Sequence, residues 1–147
     1  MGKSVRDAMT ENPRSIGAST SVVEAARLMR EQDIGSLPIT DDEQLVGMIT
    51  DRDITCRAVA RGRNPLELTA ADCMTSPAVT VHPETSFQEC CDALEGNQIR
   101  RVPVVDEAGR CVGIVSVADI ARGASRRATG EVIQHVSKPA PSATIEP

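Results

Sequence analysis

The chain of 147 residues contains its own pattern twice. Shifted by 65 positions, Asp7, Met9 and Thr10 fall on Asp72, Met74 and Thr75; Thr20, Ser21 and Glu24 fall on Thr85, Ser86 and Glu89; Ile34, Pro38 and Asp41 fall on Ile99, Pro103 and Asp106. After a one-residue insertion the shift becomes 66, and Gly47, Asp53 and Ile54 fall on Gly113, Asp119 and Ile120. A tandem duplication ties the two halves to one local fold, so every candidate feature is read as a pair.

The shared signals predict the element order β-α-β-β-α in each copy. A β-favouring stretch near Ser15 and Ile16, and again over Ala78 to Val81, leads to Ser21/Glu24 and Ser86/Glu89, the spacing of a capping box that opens a helix. Val22, Ala25, Ala26 and Met29 recur on one helical face, as do Phe87, Cys90, Cys91 and Leu94. Apolar runs Leu37 to Thr40 and Leu45 to Thr50, then Val102 to Val105 and Cys111 to Val115, flank polar connections and read as hairpins. Second helices are expected from Asp51 to Arg61 and from Val117 to Arg122, with Gly62 and Gly123 as left-handed C-caps. Ala70 to Met74 is expected as a short helix between the copies. The fold class is α/β in the α+β sense, with residues 1–65 as the first repeat, 66–127 as the second, and 128–147 as a closing helix (Thr129 to Val136) and a disordered tail rich in Pro, Ser and Ala. A half this small has little core of its own, so the copies are expected to pack about a pseudo-twofold axis.

Composition excludes several trades. Sixteen basic against 21 acidic residues leave a net charge of −5, which speaks against a polyanion such as nucleic acid as partner. Phe87 is the only aromatic residue, so base-stacking platforms are missing too. The five cysteines contain no C-x-x-C pair, which argues against a zinc knuckle or a disulfide framework. No apolar run reaches the roughly 18 residues of a membrane span, and the N-terminus has no apolar signal stretch. The expected location is the cytoplasm.

The motifs that recur in order are Met9-Thr10 and Met74-Thr75; Ile34-Gly35-Ser36-Leu37-Pro38 and Ile99-Arg100-Arg101-Val102-Pro103; and Gly47-Met48-Ile49-Thr50-Asp51-Arg52-Asp53 with Gly113-Ile114-Val115-Ser116-Val117-Ala118-Asp119. From Arg6 to Arg127 this pattern resembles a tandem CBS (cystathionine β-synthase) domain pair, or Bateman module, of the kind found in small stand-alone bacterial CBS-pair proteins. The resemblance implies a non-catalytic regulator that binds adenosine-containing ligands such as AMP, ADP or ATP in clefts between the repeats. It also implies a flat homodimer and an effector protein as partner, with no cofactor. A ligand-free dimeric scaffold or stress-response adaptor with vestigial clefts is the alternative; an enzyme finds no His-based dyad, metal cluster or Gly-rich phosphate loop to support it.

Thr50-x-x-Asp53 and Ser116-x-x-Asp119 stand at strand-to-helix transitions. Unpaired N–H groups there suit a phosphate, a hydroxyl adds one bond, and a carboxylate accepts the two donors of a ribose diol. The resemblance gives these residues those ligand-binding roles. A plain N-cap with an acid at N3 explains the same spacing without a ligand. Arg100 and Arg101, where the first copy has Gly35 and Ser36, are candidates for phosphate contact and make the module asymmetric; surface pairing with Asp106 or Glu107 is the competing account. An adenine lacking aromatic partners would lie among aliphatic side chains near Ser15 or Thr80 and Ile34 or Ile99, residues that core packing also explains. His82 and His135 have no acidic partner at ligand spacing, so no metal is expected. Of Cys90 and Cys91, one thiol is expected in the core and the other is open to access, with burial as small hydrophobes favoured over redox sensing. Arg122, Arg126 and Arg127 read as solvated helix-end charge or a surface for an acidic partner.

Overall fold

The computed structural model describes residues 3–123, so the closing helix and tail expected beyond that range, with Arg126, Arg127 and His135, lie outside the described residues. The described residues divide into two compact units, Pro13–Ala78 with Gly109–Cys111, and 3–12 with Val79–Ala108 and 112–123. The units therefore do not follow the halves of the sequence. The leader ahead of the first repeat belongs with the second repeat, and the linker that follows the first repeat belongs with the first.

In the unit of the first repeat, strands β2 (Ile16–Gly17), β3 (Ser36–Asp41) and β4 (Gln44–Thr50) form one sheet in that order. Strand β2 runs parallel to β3 with Ile16 opposite Ile39, and β3 runs antiparallel to β4 from Ser36 opposite Thr50 to Asp41 opposite Gln44. Asp42 (φ 49°) and Glu43 (φ 69°) make the two-residue turn, whose positive φ values match the twist of a tight hairpin. Helix α1 (Val22–Gln32) begins where the Ser21 hydroxyl accepts a bond from the Glu24 N–H at 3.1 Å, and ends where Asp33 turns left-handed at φ 54° and Ile34 N–H donates to Met29 C=O. Val22, Ala25, Leu28 and Met29 are buried beneath it with Leu37, Ile39 and Ile49. Ala26, expected on that face, is exposed, and Leu28 takes the inner position. Helix α2 (Asp51–Ile54) widens into a π-helical turn over Thr55–Val59 and stops at Gly62, which has the expected positive φ of 68°. A one-turn helix at Pro65–Glu67 and the short helix α3 (Ala70–Cys73) follow. Thr75 then lies antiparallel to Met48, with Met48 N–H donating to Thr75 C=O at 3.0 Å and the reverse bond at 2.8 Å.

The unit of the second repeat repeats this plan. Its sheet has the order β1 (Thr10–Glu11), β6 (Cys111–Ser116), β5 (Arg101–Val105), and Val81 bridges Val104 in parallel, as Ile16 does Ile39. Thr10 opposes Ile114 in the way Thr75 opposes Met48, so each Met-Thr motif adds its strand to the other copy's hairpin. Helix α4 (Phe87–Gly96) ends with Gln98 at φ 52° and Ile99 N–H bonded to Leu94 C=O, the counterpart of Asp33 and Ile34. The inserted residue lies in the second hairpin's turn, where Gly109 has a φ of 83°. Val5, Val81, Cys90, Cys91, Leu94, Val102, Val104, Val115 and Ile120 form a separate core. Burying one such aliphatic side chain contributes about 1.5–3 kcal/mol.

Two expectations change in detail. Ser21 and Ser86 cap their helices only through the hydroxyl, and the Glu24 carboxylate pairs with Arg27 at 2.6 Å instead of reaching back. Reciprocal boxes form elsewhere, at Thr50/Asp53, Thr69/Asp72 and Ser116/Asp119. Gly123 ends α5 (Val117–Gly123) without a positive φ; a Cβ there would lie 2.9 Å from the Phe87 ring, so close approach to α4 accounts for the glycine.

Candidate functional site

Strand β4 delivers Thr50 to the start of α2, where the Asp51 N–H donates to Gly35 C=O at 2.9 Å and closes the strand-to-helix turn. Thr50 Oγ1 accepts from Asp53 N–H at 3.0 Å, and Asp53 Oδ2 accepts from Thr50 N–H at 3.0 Å. Among the described residues the other carboxylate oxygen, Oδ1, receives only a long 3.3 Å bond from the Thr75 hydroxyl. Arg57 holds the segment that carries this hydroxyl by donating to Cys73 C=O and Met74 C=O at 3.0 and 2.6 Å. Ser36, directly across the sheet from Thr50, has a buried Oγ without a hydrogen-bond partner among the described residues. Ser15 is exposed and accepts a 3.4 Å bond from Thr40 Oγ1, while Ile34 packs on the first core.

The second unit builds the same turn from different neighbours. Val117 N–H donates to Arg100 C=O at 2.9 Å, Asp119 Oδ2 accepts from Ser116 N–H at 2.9 Å, and Ser116 Oγ accepts from Asp119 N–H at 3.1 Å. Ser116 and Asp119 are both buried. Here Oδ1 is taken by the Arg122 guanidinium in an ion pair whose acid is 10% exposed and whose arginine is 72% exposed. Arg100 and Arg101 are exposed and make no ion pair with another described residue, Asp106 and Glu107 included. Thr80 is exposed beside the Val81 bridge, and Ile99 packs on the second core.

The structure thus gathers Thr50 with Asp53 and Ser116 with Asp119, and joins the main chain of Arg100 to the second turn. Sequence reasoning missed Thr75 and the pairing of Arg122. The signal for Arg122 was present: 66 positions earlier, at the same step after Asp53, stands Cys56. Neither turn lines the open cavity of about 310 Å³ in the second unit, which is bordered by Arg6, Met9, Glu11, Asn12, Pro83, Asp106 and Val112.

His82 Nδ1 lies 3.0 Å from Val105 C=O, and among the described residues no three His, Cys, Asp or Glu side chains gather as metal ligands. Cys90 and Cys91 are both buried, in line with their reading as small hydrophobes and leaving neither thiol accessible. Burial, with the neighbouring Cys91, pushes the Cys90 thiol up to about 12. Among the described residues no helix is long and apolar enough to cross a membrane.

The CBS domain family model matches residues 5–58 and again residues 70–126. The chain belongs to the CBS domain family. Hypoxic response protein 1 of Mycobacterium tuberculosis is 40% identical to this CBS protein over 135 residues, 91% of this chain and 94% of that protein. A crystal structure of that protein with two coordinated zinc ions superposes with a TM-score of 0.76 at 41% identity, over 84% of this chain and 100% of the other. CBSX2 of Arabidopsis thaliana in complex with AMP gives a TM-score of 0.75 at 29% identity, covering 83% and 96% of the two chains. The CBS pair of protein MJ0100 with 5′-methylthioadenosine and S-adenosyl-L-methionine gives 0.74 at 32% identity, covering 83% and 95%.

Proposed function

We propose that this CBS-pair protein is a non-catalytic regulator that binds an adenosine-containing ligand at the Thr50–Asp53 and Ser116–Asp119 turns and passes its occupancy to a partner protein. Its setting is the cytoplasm and its working form a homodimer. The observation that carries the reading is the duplicated placement of a hydroxyl and a carboxylate at the same strand-to-helix turn, in a chain similar to CBS pairs solved with AMP, 5′-methylthioadenosine and S-adenosyl-L-methionine. In this role the hydroxyl, which accepts from the helix N–H, donates its own proton to a phosphate or ribose oxygen, and the carboxylate accepts from the 2′,3′-diol. AMP, ADP, ATP and adenosyl compounds all present that diol. Arg100 and Arg101, unpaired among the described residues, are suited to a phosphate, while Ser15, Thr80, Ile34 and Ile99 border the base. Ligand can shift the conformation only by its difference in affinity between two arrangements.

Calorimetry with a panel of adenosine nucleotides and adenosyl compounds tests this directly. Binding by at least one of them is expected, weakened about tenfold or more by Asp53→Asn, a loss of about 1.4 kcal/mol. Absence of binding across the panel at millimolar concentration would leave the scaffold reading in its place. That second reading has one observation in its favour, since both oxygens of Asp119 are already engaged within the chain.

A further inference from the structure

We infer that the two ligand turns are unequal, with Arg122 acting as a gate on the second; the inference rests on the adenosine-binding reading proposed above. In both turns one carboxylate oxygen closes the capping box, so only Oδ1 can turn to a ribose diol without opening the helix. Asp53 Oδ1 is met by a neutral hydroxyl at 3.3 Å, a bond that a diol replaces like for like. Asp119 Oδ1 is met by a guanidinium, and a charge-assisted bond is roughly twice as strong as a neutral one. A diol entering there has to displace a cation from a buried carboxylate.

The difference comes from a single repeat position. The third residue after the acid is Cys56 in the first copy and Arg122 in the second, one helical turn on and on the same face. The exposed Cys56 supplies no cation. Arg57, one step further, is committed to the carbonyls of Cys73 and Met74 and leaves Asp53 alone. Because Arg122 is itself largely exposed, its hold on Asp119 is reversible, and that is what makes it a gate instead of a permanent plug. A site closed about nine-tenths of the time binds about tenfold more weakly.

The test is calorimetric stoichiometry on the full chain with AMP and, separately, with 5′-methylthioadenosine, which keeps the diol and lacks phosphate. Wild type is expected to take one equivalent tightly and a second about tenfold or more weakly. Arg122→Cys brings the two equivalents of 5′-methylthioadenosine, which has no phosphate for Arg100 or Arg101 to meet, to equal affinity, and Cys56→Arg weakens the first toward the second. With 2′,3′-dideoxy-AMP, Arg122→Cys gains nothing over wild type. Two equal equivalents of 5′-methylthioadenosine in wild type, or no change in its binding on Arg122→Cys, overturns the gate and leaves the adenosine reading standing. Failure of wild type and both variants to bind either probe removes that reading, and the gate falls with it.

Discussion

At the residue scale the two copies diverge where their sequences look most alike. Cys91 is buried while its counterpart Ala26 is exposed, because helical phase selects a face but the neighbours across its flank decide how far the face extends. The same limit hid Arg122, which sequence reasoning left among the surface charges of a helix end. Burial of Cys90 has a consequence that can be measured. Its thiol, pushed up to about 12 from an ordinary thiol value near 8.5, keeps its proton in the folded state well past the point where an unfolded chain gives it up. The raised value makes its contribution to stability complete below the ordinary thiol range and lost as pH climbs toward the folded value. Iodoacetamide at pH near 8.5 is therefore expected to label exposed Cys56 rapidly and to spare Cys90 and Cys73 until the chain unfolds. Mass spectrometry of partly labelled protein reads the order, and labelling of Cys90 at the rate of Cys56 contradicts it.

Among the elements, the hairpins and helix starts were legible because each rests on neighbours in sequence: Ser21 ahead of α1, the turn after Asp41, Gly62 after the π-helical turn. The reason for Gly47 and Gly113 was not, because it lies with a segment far away in the chain. A Cβ on Gly47 would stand 2.8 Å from Thr75 C=O, and one on Gly113 would stand 2.7 Å from Met9 Sδ and 3.1 Å from Thr10 C=O. Backbone cannot yield as the end of a methionine can. Gly47→Ala is accordingly expected to destabilise its unit by about 1–3 kcal/mol, more than Gly113→Ala does. Urea unfolding of the two variants checks the order, and an unchanged midpoint for Gly47→Ala refutes the assigned clash. The widening of α2 into a π-helical turn carried no sequence signature, and nothing in the structure explains it.

For the whole molecule, duplication made the plan readable but concealed which segment completes which copy. Self-alignment assigns Met9-Thr10 to the repeat it precedes, whereas the chain pairs it with β6 and buries Val5 fully in the second core. Val5 N–H to Thr85 C=O, Arg6 N–H to Pro83 C=O and Phe87 N–H to Lys3 C=O tie the leader down further. Truncation to begin at Pro13 is expected to raise amide exchange in β6 and at the start of α4 while the Met48–Thr75 bridge keeps its protection. Exchange mass spectrometry decides it; equal protection of β6 with and without the leader shows that the segment does not complete that sheet. This crossing of segments has a consequence for dilution. Two separate copies trading leaders would come apart as protein concentration fell, whereas tethering both in one polypeptide turns closure into an intramolecular event governed by tether length.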